Sequence, residues 1–521
     1  MRTALVLAIL VLTGAAGDLL LSKLMKRVGE VKLSSIGSIV RTGLRVTWDA
    51  TFWMAILLMA ISFFSLLALF SWAPVSFVVP ATALGYIVGT FAARFILGER
   101  VNGTRWAGVA FVCVGVLLAF KGDIIGKASP HAFLPGLRWV VLALAILPFC
   151  YYIVCIYAAR KFFAAQRRKK PMANDFAPPA SILKPVRGLD REAYENFASF
   201  CRLDYPDYEI LFAVQEERDP AVPIIRKLIS DFPGIKIRLL IGIENLGPSA
   251  KVCKLARLVR EARFDLFVIS DSDVRVDPDY LRMIVEPFRD PKVGVVTALY
   301  RGNVEGKLGS YLDCLGASVE FTAGTLVAHV LEGVHFALGA TMATTRERLE
   351  EIGGFEGIAD RHSDDFEFGN RIASRGYRVE LARKPVLMIN NAQTLWEYLR
   401  HELRWTIGLR NIRPGGHAGL FFTQGLALTI AAIAIAPTRS LALAYLGAYL
   451  ILRFATAWTV GVWGLQDQVV RRWFWLLPLR DLFAFPVWVA SFLTNTIEWR
   501  GSRFTIRKGQ LIPATRPAER G

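Results

Sequence analysis

Two carboxylates stand two positions apart in the stretch Ser270–Asp273, directly after the apolar run Leu266–Ile269. The apolar run is typical of a buried strand, so Asp271 and Asp273 fall where a parallel sheet presents ligand-binding groups. A carboxylate pair at that point can bind a hard divalent cation such as Mg²⁺ or Mn²⁺, and the cation can bridge the diphosphate of a nucleotide. A solvated turn explains the same residues, so the neighbouring elements have to decide between the two interpretations.

Residues 161–415 form a polar block in which strand-like and helix-like patterns alternate. Strand-like runs occur at Ser181–Leu183, Glu209–Val214, Ile235–Ile241, Leu266–Ile269 and Val293–Ala298. Helical spacing occurs between them at Arg191–Cys201, Pro220–Phe232, Ala250–Ala262 and Pro278–Phe288. The alternation predicts an α/β domain whose parallel sheet is covered by helices. A nucleotide binds across the carboxyl ends of the strands in such a sheet, and Asp271 and Asp273 fall at that edge.

Two further side chains fall near the same edge. Asp219 follows the second strand, where it could hold a base or a ribose, although a helix N-cap before Pro220 explains it equally well. Lys251 could lie at a helix start and face a phosphate, although a solvated lysine is the more common outcome. Both residues are candidates for binding a nucleotide.

Later in the block stand acidic residues and an arginine–tryptophan pair. Asp364 and Asp365 open a helical pattern, where acidic residues commonly cap the helix. Arg404 and Trp405 follow His401, and side by side they could clamp a diphosphate and support a sugar or an acceptor. Cation–π packing at a membrane surface explains the same pair.

The composition indicates a membrane protein. The 521 residues are 54% hydrophobic and the mean hydropathy is +0.39, which is too apolar for a purely soluble enzyme. About eight stretches approach the ~20 residues that a helix needs to cross a bilayer. They lie near residues 3–21, 52–72, 75–97, 105–120, 138–159, 419–436, 440–463 and 473–495.

Basic residues beside these stretches predict the topology. The loops at Lys23–Arg27 and Arg160–Lys170 are rich in lysine and arginine, so both are expected in the cytoplasm together with the polar block. Three crossings after residue 416 would place Arg500–Lys508 outside against the same rule, which suggests that one of the last stretches does not cross. The net charge of +18 gathers beside apolar segments, so we expect anionic lipid headgroups as partners and no nucleic acid.

The stretch Ala317–Leu338 is unusually apolar for a soluble domain. It is interpreted either as a core helix or as an interfacial element that admits a lipid acceptor. His329 and His335 lie within it, and either could touch the acceptor, although a structural histidine is more common.

Taken in order, the motifs resemble those of the family-2-like inverting glycosyltransferases, whose pattern is D, DxD, D and (Q/R)xxRW. The matching residues are Lys184–Gly188, Asp219, Asp271, Asp273, Asp365, Arg404 and Trp405. The likeness is greatest to the ceramide glucosyltransferases of family 21, from about residue 178 to residue 415 and on through the C-terminal membrane segments. It implies a multi-pass α-helical membrane protein that carries a cytoplasmic α/β domain of the GT-A (nucleotide-diphospho-sugar transferase) fold.

The resemblance implies a role for each of these residues. Asp271 and Asp273 would bind an Mg²⁺ or Mn²⁺ cofactor, and Asp365 would accept the proton of the acceptor hydroxyl. Arg404 and Trp405 would act with Asp365 in catalysis. The nucleotide sugar would be bound by Lys184, Asp219, Lys251, Asp271 and His401.

Two positions distinguish this chain from the family pattern. His401 stands where the family has Gln or Arg, which leaves the role of that side chain open. Asp273 is present where some animal members have Gly, which favours metal binding here.

The first four hydrophobic stretches resemble a different kind of protein. Gly17–Lys23, Pro74–Phe77 and Leu97–Arg100 are similar to parts of a half-length drug/metabolite-transporter module of the EamA or small-multidrug-resistance type. Such a module could flip the product, form a homodimer or serve only as an anchor. The predicted organisation is a four-span module at 1–121, an anchor span at 122–160, a GT-A domain at 161–415, membrane spans at 416–497 and a basic tail at 498–521.

These observations together predict a membrane-bound inverting glycosyltransferase. It would transfer a hexose, glucose by the resemblance, from a UDP-sugar to the hydroxyl of a lipid such as ceramide, on the cytoplasmic side of a bacterial inner membrane. Transfer from UDP-N-acetylglucosamine to a hopanoid or another lipid alcohol is an alternative, and so is a processive polysaccharide synthase. A transporter with a regulatory domain is a further alternative, against which the full set of acidic residues argues.

Overall fold

A computed structural model describes residues 2–28, 46–47, 49–73, 78, 81–95, 133–168, 175–499, 502–507 and 509–513. The chain divides into two units, residues 1–137 and residues 138–521. The span predicted at 105–120 lies outside the described residues.

The described part of the first unit is helical. Its helices are α1 (Arg2–Val28), α2 (Ala50–Phe70) and α3 (Leu84–Phe95). α1 and α2 are long and apolar enough to cross a membrane, whereas the 12 residues of α3 are fewer than the predicted span 75–97 contains. α1 and α2 pack closely, since a Cβ at Gly17 would lie 2.8 Å from Met59 Cγ and the Ser62 hydroxyl donates to the Leu10 carbonyl at 2.9 Å. The likeness of this unit to a transporter module stays a prediction.

The second unit is built on a mixed sheet. Its first ten strands are β1 (Ala180–Pro185), β2 (Tyr208–Val214), β3 (Lys236–Ile241), β4 (Leu266–Ser270), β5 (Val274–Arg275), β6 (Val293–Thr297), β7 (Tyr300–Asn303), β8 (Thr341–Thr345), β9 (Arg378–Leu381) and β10 (Val386–Ile389). Seven of them form one sheet in the order β3-β2-β1-β4-β8-β6-β9, and β5-β10-β7 form a small second sheet. The five predicted strands are present, but the prediction of a parallel sheet is wrong at β8, which runs antiparallel to both β4 and β6.

Helices cover both faces of the large sheet. Alternate residues of the central strands enter two separate apolar clusters, since Leu183 and Leu211 join one cluster while Ile182 and Ile210 join the other. This two-sided burial is typical of the inner strands of an α/β sheet. From residue 133 to residue 412 the helices are α4 (Phe133–Leu144), α5 (Leu147–Arg168), α6 (Ala193–Cys201), α7 (Ala221–Asp231), α8 (Ala250–Glu261), α9 (Tyr280–Val285), α10 (Leu308–Leu315), α11 (Thr322–Leu331), α12 (Arg346–Glu350), α13 (Asp364–Ala373) and α14 (Leu395–Ile412).

The unusually apolar stretch Ala317–Leu338 falls mostly within a packed helix. A π-helical turn, Gly316–Phe321, joins α10 to α11. The resulting helix Leu308–Leu331 is long and apolar enough to cross a membrane, yet 50% of its apolar window is buried inside the protein. Ala323 and Leu326 of α11 join the same apolar cluster as α5. Of the two interpretations of this stretch, the packing favours the core helix.

Further helices follow α14. They are α15 (Pro414–Gly419), α16 (Gly425–Ile435), α17 (Arg439–Ala457), α18 (Gln468–Trp473) and α19 (Leu477–Ala490). α15 and α16, with the short turn between them, form a pair bent by 49°. Among the described residues, six helices, or seven with this pair, are long and apolar enough to cross a membrane. The predicted spans 419–436, 440–463 and 473–495 correspond to the bent pair, to Arg439–Gly464 and to Gln468–Ala490.

The last of these stretches, Gln468–Ala490, begins and ends on the sheet domain. Asp467, which caps α18, accepts hydrogen bonds from the Gly302 N–H at 3.2 Å and the Ser318 hydroxyl at 2.6 Å. Beyond α19, the Thr494 carbonyl accepts from the Arg410 guanidinium of α14 at 2.9 Å. A segment held at both ends by one domain returns to the same side of the membrane, so we infer that it does not cross.

The tail predicted at 498–521 contributes strands. β11 (Thr496–Trp499), β12 (Ser502–Arg507) and β13 (Gln510–Pro513) form an antiparallel sheet. Ile497, Ile506 and Leu511 pack against Ile407 of α14. The tail therefore packs on the sheet domain, and a tail on the same side of the membrane as that domain would agree with the positive-inside rule.

This topology predicts a labelling pattern for single cysteines in a background without the native ones. Leu189→Cys on the sheet domain and Ile512→Cys on β13, both at exposed positions, should react with a membrane-impermeant maleimide from the same side of sealed vesicles. Arg439→Cys, at the exposed start of α17, is the control and should react from the opposite side. Labelling of Ile512→Cys together with Arg439→Cys would show that Gln468–Ala490 crosses.

Candidate active site

The carboxyl end of β4 places Asp271 beside a lysine of α8. Ser249 is the N-cap of α8, which puts Lys251 in its first turn, as predicted. Lys251 Nζ lies 2.7 Å from Asp271 Oδ1 and 3.4 Å from Asp364 Oδ2. Burial lowers the pKa of Lys251, but Asp271 and Asp364 raise it overall above its usual value. The ammonium is therefore charged and holds two carboxylates from different elements together.

Lys184 is fully buried at the end of β1, behind these carboxylates. Its ammonium donates to the Ser270 hydroxyl at 3.3 Å and to the Asp271 carbonyl at 3.0 Å. Nζ also lies 3.6 Å from the centroid of the Phe200 ring. Burial lowers the pKa of Lys184 to about 7, although nearby carboxylates oppose the shift. Lys184 thus fixes the backbone at the end of β4.

Asp273 is a partly buried carboxylate with unused acceptor capacity. Its Oδ1 has no hydrogen-bond partner among the described residues. Burial, Asp271 and Asp190 raise the pKa of Asp273 to about 7. Asp190 in turn accepts a hydrogen bond from the Ser272 hydroxyl at 2.5 Å. An orphaned carboxylate oxygen beside a second carboxylate fits a divalent cation, which would supply the missing partner.

Asp365 lies in the first turn of α13, beside Asp364. Its Oδ1 accepts from the Phe366 N–H at 2.8 Å, and its Oδ2 accepts from the Gly339 N–H at 3.2 Å. Burial and the neighbouring Asp364 raise the pKa of Asp365 to about 6. Two backbone donors therefore fix the orientation of a carboxylate that takes up a proton more readily than usual.

Gly339 marks the point where the two acidic elements meet. A Cβ at this position would lie 3.3 Å from Asp365 Oδ2, 3.4 Å from Asp271 Oδ2 and 3.5 Å from Lys251 Nζ. Asp365 of α13 and Asp271, which follows β4, thus both lie close to Gly339. Because Gly339 has no side chain, space is left between the two carboxylates. The sequence pattern did not indicate this residue, because nothing local distinguishes it from other loop glycines.

A cavity of about 440 Å³, open to solvent, lies at this edge of the sheet. That volume is within the range of small-molecule sites, about 300–1,000 Å³. Its walls are formed by Pro185, Arg187, Asp190, Gln215, Pro248, Ala250, Lys251, Lys254, Asp271, Ser272, Asp273, Asp364 and Phe504. The carboxylate pair and Lys251 are therefore brought together as predicted, and Phe504 joins them from the far end of the chain.

Asp219 lies outside the cavity wall. Its two carboxylate oxygens each lie 3.1 Å from the Gly188 N–H, and Oδ1 also accepts from the Ala221 N–H at 2.9 Å. It thus joins the loop after β1 to the start of α7, which is the capping interpretation extended to a second loop. Its contact with a nucleoside stays a prediction.

His401 links Trp405 to a buried carboxylate, away from the cavity wall. His401 Nδ1 lies 2.7 Å from Asp313 Oδ1, and the Trp405 indole donates to His401 Nε2 at 3.0 Å. Since Nε2 accepts, the ring proton lies on Nδ1 and faces Asp313. Asp313 was not among the sequence candidates, because 88 positions separate it from His401. His401 therefore orients Trp405 in this structure.

Trp405 also belongs to an aromatic row, and Arg404 lies beside it on α14. The Trp405 ring lies 5.9 Å from the Phe321 ring, which stacks at 5.7 Å on Tyr300. Arg404 is close enough to His362 to lower the pKa of that imidazole, although burial is the larger cause. The arginine–tryptophan pair thus does not form part of the cavity wall.

The carboxyl edge of the sheet thus gathers paired carboxylates, two lysines and Asp364 around one cavity, with Asp365 beside Gly339, and such a cluster of titratable side chains in a cleft is typical of an enzyme active site. The chain belongs to Glycosyl transferase family 21, whose model matches residues 140–512. It is therefore a glycosyltransferase. The matched region leaves out the first unit.

Two curated relatives match most of the chain. Ceramide glucosyltransferase 1 of Caenorhabditis elegans is 24% identical over 417 residues, which cover 76% of this chain and 88% of the relative. Ceramide glucosyltransferase 3 of the same organism is 26% identical over 399 residues, which cover 71% of this chain and 81% of the relative. Among solved structures, the mannosyltransferase PcManGT from Pyrobaculum calidifontis, in complex with GDP-Man and Mn²⁺, is 19% identical with a TM-score of 0.43, over 68% of this chain and 99% of that one.

Replacing Gly339 by alanine should lower kcat, because the new methyl group would lie 3.3 Å from Asp365 Oδ2, a tight contact, and 3.4 and 3.5 Å from Asp271 Oδ2 and Lys251 Nζ. A shift of a few tenths of an ångström at Asp365 relieves that contact, so the loss should stay below the roughly hundredfold effect of a 1 Å displacement at a reacting centre. Single-turnover rates of sugar transfer would measure the loss. Gly234→Ala, whose Cβ would meet nothing within 4 Å, is the control. Equal activity of the two variants would show that the space at Gly339 is not used.

The His401 arrangement predicts that orientation of Trp405 matters more than the charge at this position. His401→Ala should lower kcat/KM for the acceptor by about tenfold, the equivalent of one oriented hydrogen bond, and should leave the Kd for UDP unchanged. His401→Gln keeps an acceptor for the indole and should retain most of the activity. Arg400→Ala, one position earlier on α14 with its guanidinium over Trp396, is the control. A loss of UDP binding in His401→Ala would instead support the predicted nucleotide contact.

Proposed function

We propose that the protein transfers glucose from UDP-glucose to the hydroxyl of ceramide or a closely similar lipid, with inversion at the anomeric carbon. The family and the names of the curated relatives support the sugar and the acceptor. The observation that carries the proposal is the approach of Asp365 and Asp271 to a single point, because an inverting transfer needs a base on one side of the anomeric carbon and charge stabilisation on the other.

Asp365 is proposed as the general base. The acceptor oxygen forms a bond to the anomeric carbon while the bond from that carbon to the diphosphate oxygen breaks. The hydroxyl proton passes to a carboxylate oxygen of Asp365, whose raised pKa favours its uptake. The negative charge goes to the departing UDP. The Gly339 and Phe366 N–H groups keep the carboxylate in place during the transfer.

Asp271 and Asp273 are proposed to hold Mg²⁺ or Mn²⁺, which when bound neutralises charge on the diphosphate. No cluster of three or more His, Cys, Asp or Glu side chains suited to a metal occurs in the part of the chain that the structure describes. Two carboxylates suffice, because Mg²⁺ commonly takes its remaining ligands from substrate phosphates and water. Lys251, paired with Asp271, would face the same phosphates.

Arg404 and Trp405 are proposed to lie where the lipid acceptor binds. They lie on α14, which leads directly into the apolar helices after residue 413. The aromatic row from Trp405 to Tyr300 offers an apolar surface near the polar site. A lipid hydroxyl arriving from the membrane would meet this helix first, and the arginine can stabilise charge on the departing diphosphate.

The proposed orientation of the protein in the membrane is based on the positions of its basic residues. The basic loops support a sheet domain that faces the cytoplasm, where nucleotide sugars are found, and a bacterial inner membrane remains our prediction. Homodimer formation and a transport role for the first unit likewise remain predictions. Hopanoid glycosylation and polysaccharide synthesis are outcomes that the following experiment distinguishes.

The test uses purified protein in detergent with Mg²⁺ or Mn²⁺. UDP-glucose, UDP-galactose and UDP-N-acetylglucosamine are each offered with ceramide, a hopanoid and diacylglycerol, and the lipid products are separated. We expect a single-glucose product on ceramide, and we expect Asp365→Asn to lower kcat by about 10²–10⁴-fold, the usual contribution of a positioned base. The control Asp231→Asn removes an exposed carboxylate of α7 and should leave the rate unchanged.

Other outcomes would each contradict a part of the proposal. Full activity of Asp365→Asn would assign the base to Asp364. Transfer to the hopanoid alone would replace ceramide as the acceptor. A polymer without any glycolipid would identify a polysaccharide synthase.

A further inference from the structure

The C-terminal strand β12 contributes Phe504 to the wall of the active-site cavity. Along Ser502–Arg507, Phe504 and Ile506 are buried while the residues between and beside them are partly or fully exposed. Phe504 pairs in register with Ile497 on one side and with Pro513 on the other. The sheet therefore holds the Phe504 backbone on both sides, and the side chain is a fixed part of the structure.

The sheet is attached to the loop that leads into the catalytic helix α13. The His362 N–H donates to the Gly509 carbonyl at 2.9 Å, and the Leu511 N–H donates to the Asp360 carbonyl at 2.8 Å. The Gln510 amide also donates to the Asp360 carboxylate at 2.8 Å. His362, the last loop residue joined by these bonds, lies two positions before Asp364. The same sheet packs on α14 through Ile407, so it contacts the elements that carry the acidic pair and the arginine–tryptophan pair.

Phe504 differs in kind from the rest of the cavity wall. Among the described residues that form the wall, it is the aromatic one, while most of the others are acidic, basic or small. Carboxylates and lysines serve a metal, a diphosphate and a ribose, but they offer no flat apolar face. The part of a nucleotide sugar that uses such a face is the base, because every base stacks on an aromatic ring.

We propose that the C-terminal sheet is a wall of the donor site and that Phe504 stacks on the base of the donor nucleotide. This inference rests on the proposed function only in taking a nucleotide sugar as the donor. The segment after the membrane helices is then part of the enzyme's substrate site and is more than a tail. Since the sheet is bonded to residues 360–362, a bound base also supports the loop that positions Asp364 and Asp365.

The test measures binding without turnover, by calorimetric titration of the full-length protein with UDP and with pyrophosphate in the presence of Mg²⁺. Phe504→Leu keeps an apolar side chain in the cluster but removes the ring, and it should raise the Kd for UDP by about tenfold, the usual scale for one lost base stack. Phe504→Tyr keeps the ring and should bind UDP like the wild type. Pyrophosphate, which has no base, should bind all three proteins equally. Thr505→Ala, on the opposite face of β12, is the control.

Two results would overturn the proposal. An unchanged Kd for UDP in Phe504→Leu would show that the ring does not contact the base. Equal weakening of UDP and pyrophosphate would assign Phe504 a structural role in the diphosphate site. The titration uses neither an acceptor nor a sugar. Both results therefore remain interpretable even if glucose is not the transferred sugar, and a failure of the proposed function would be a separate finding.

Discussion

The site depends on the repulsion among four carboxylates that the fold brings to one edge of the sheet and on the few cations that offset it. The four are Asp271, Asp273, Asp364 and Asp365. Lys251 contacts two of them. Burial, together with the neighbouring carboxylates, raises the pKa of Asp273 and of Asp365. Burial makes this excess of negative charge costly. Such an excess of negative charge would favour a divalent cation at Asp271 and Asp273 and proton uptake by Asp365, as the proposed inverting transfer requires.

The direction of β8 is what makes this convergence possible. Ser270, the last residue of β4, lies opposite Thr341, the first residue of the antiparallel strand β8. The chain therefore enters β8 at the edge where β4 leaves the sheet, and Gly339 falls beside Asp271. A parallel strand in the same place would have its entering end at the other edge. The loop that leads into the one antiparallel strand of this sheet thus supplies the backbone N–H that orients Asp365.

Local sequence patterns predicted the strands and helices, whereas contacts between residues far apart in the sequence determine the remaining parts of the site. Apolar runs bounded by helical spacing identified the strands, and the residue types after β4 identified the Asp271–Asp273 pair, because these signals lie within a few positions of each other. The bond from Asp313 to His401 joins residues 88 positions apart, and Phe504 reaches a cavity whose other walls lie between residues 185 and 364. Neither Asp313 nor Phe504 could be identified from the sequence around it. A single aspartate in a helix can have many roles, and the tail around Phe504 is mainly noted for its charge.

The helix that carries Arg404 and Trp405 is fixed by charged groups at the membrane side of the domain. Arg480 of α19 contacts Glu320 and lies 3.5 Å from Glu402 of α14. Arg453 of α17 pairs with Asp481 at 2.6 Å. Buried ion pairs add little net stability, but losing one partner is costly, so they favour a single arrangement of the helices that share them. α14 is thus linked to α19 through Glu402 and Arg480. A lipid acceptor that enters along those helices would meet residues held at a constant distance from the bilayer, which suits an enzyme whose acceptor hydroxyl lies at the membrane surface.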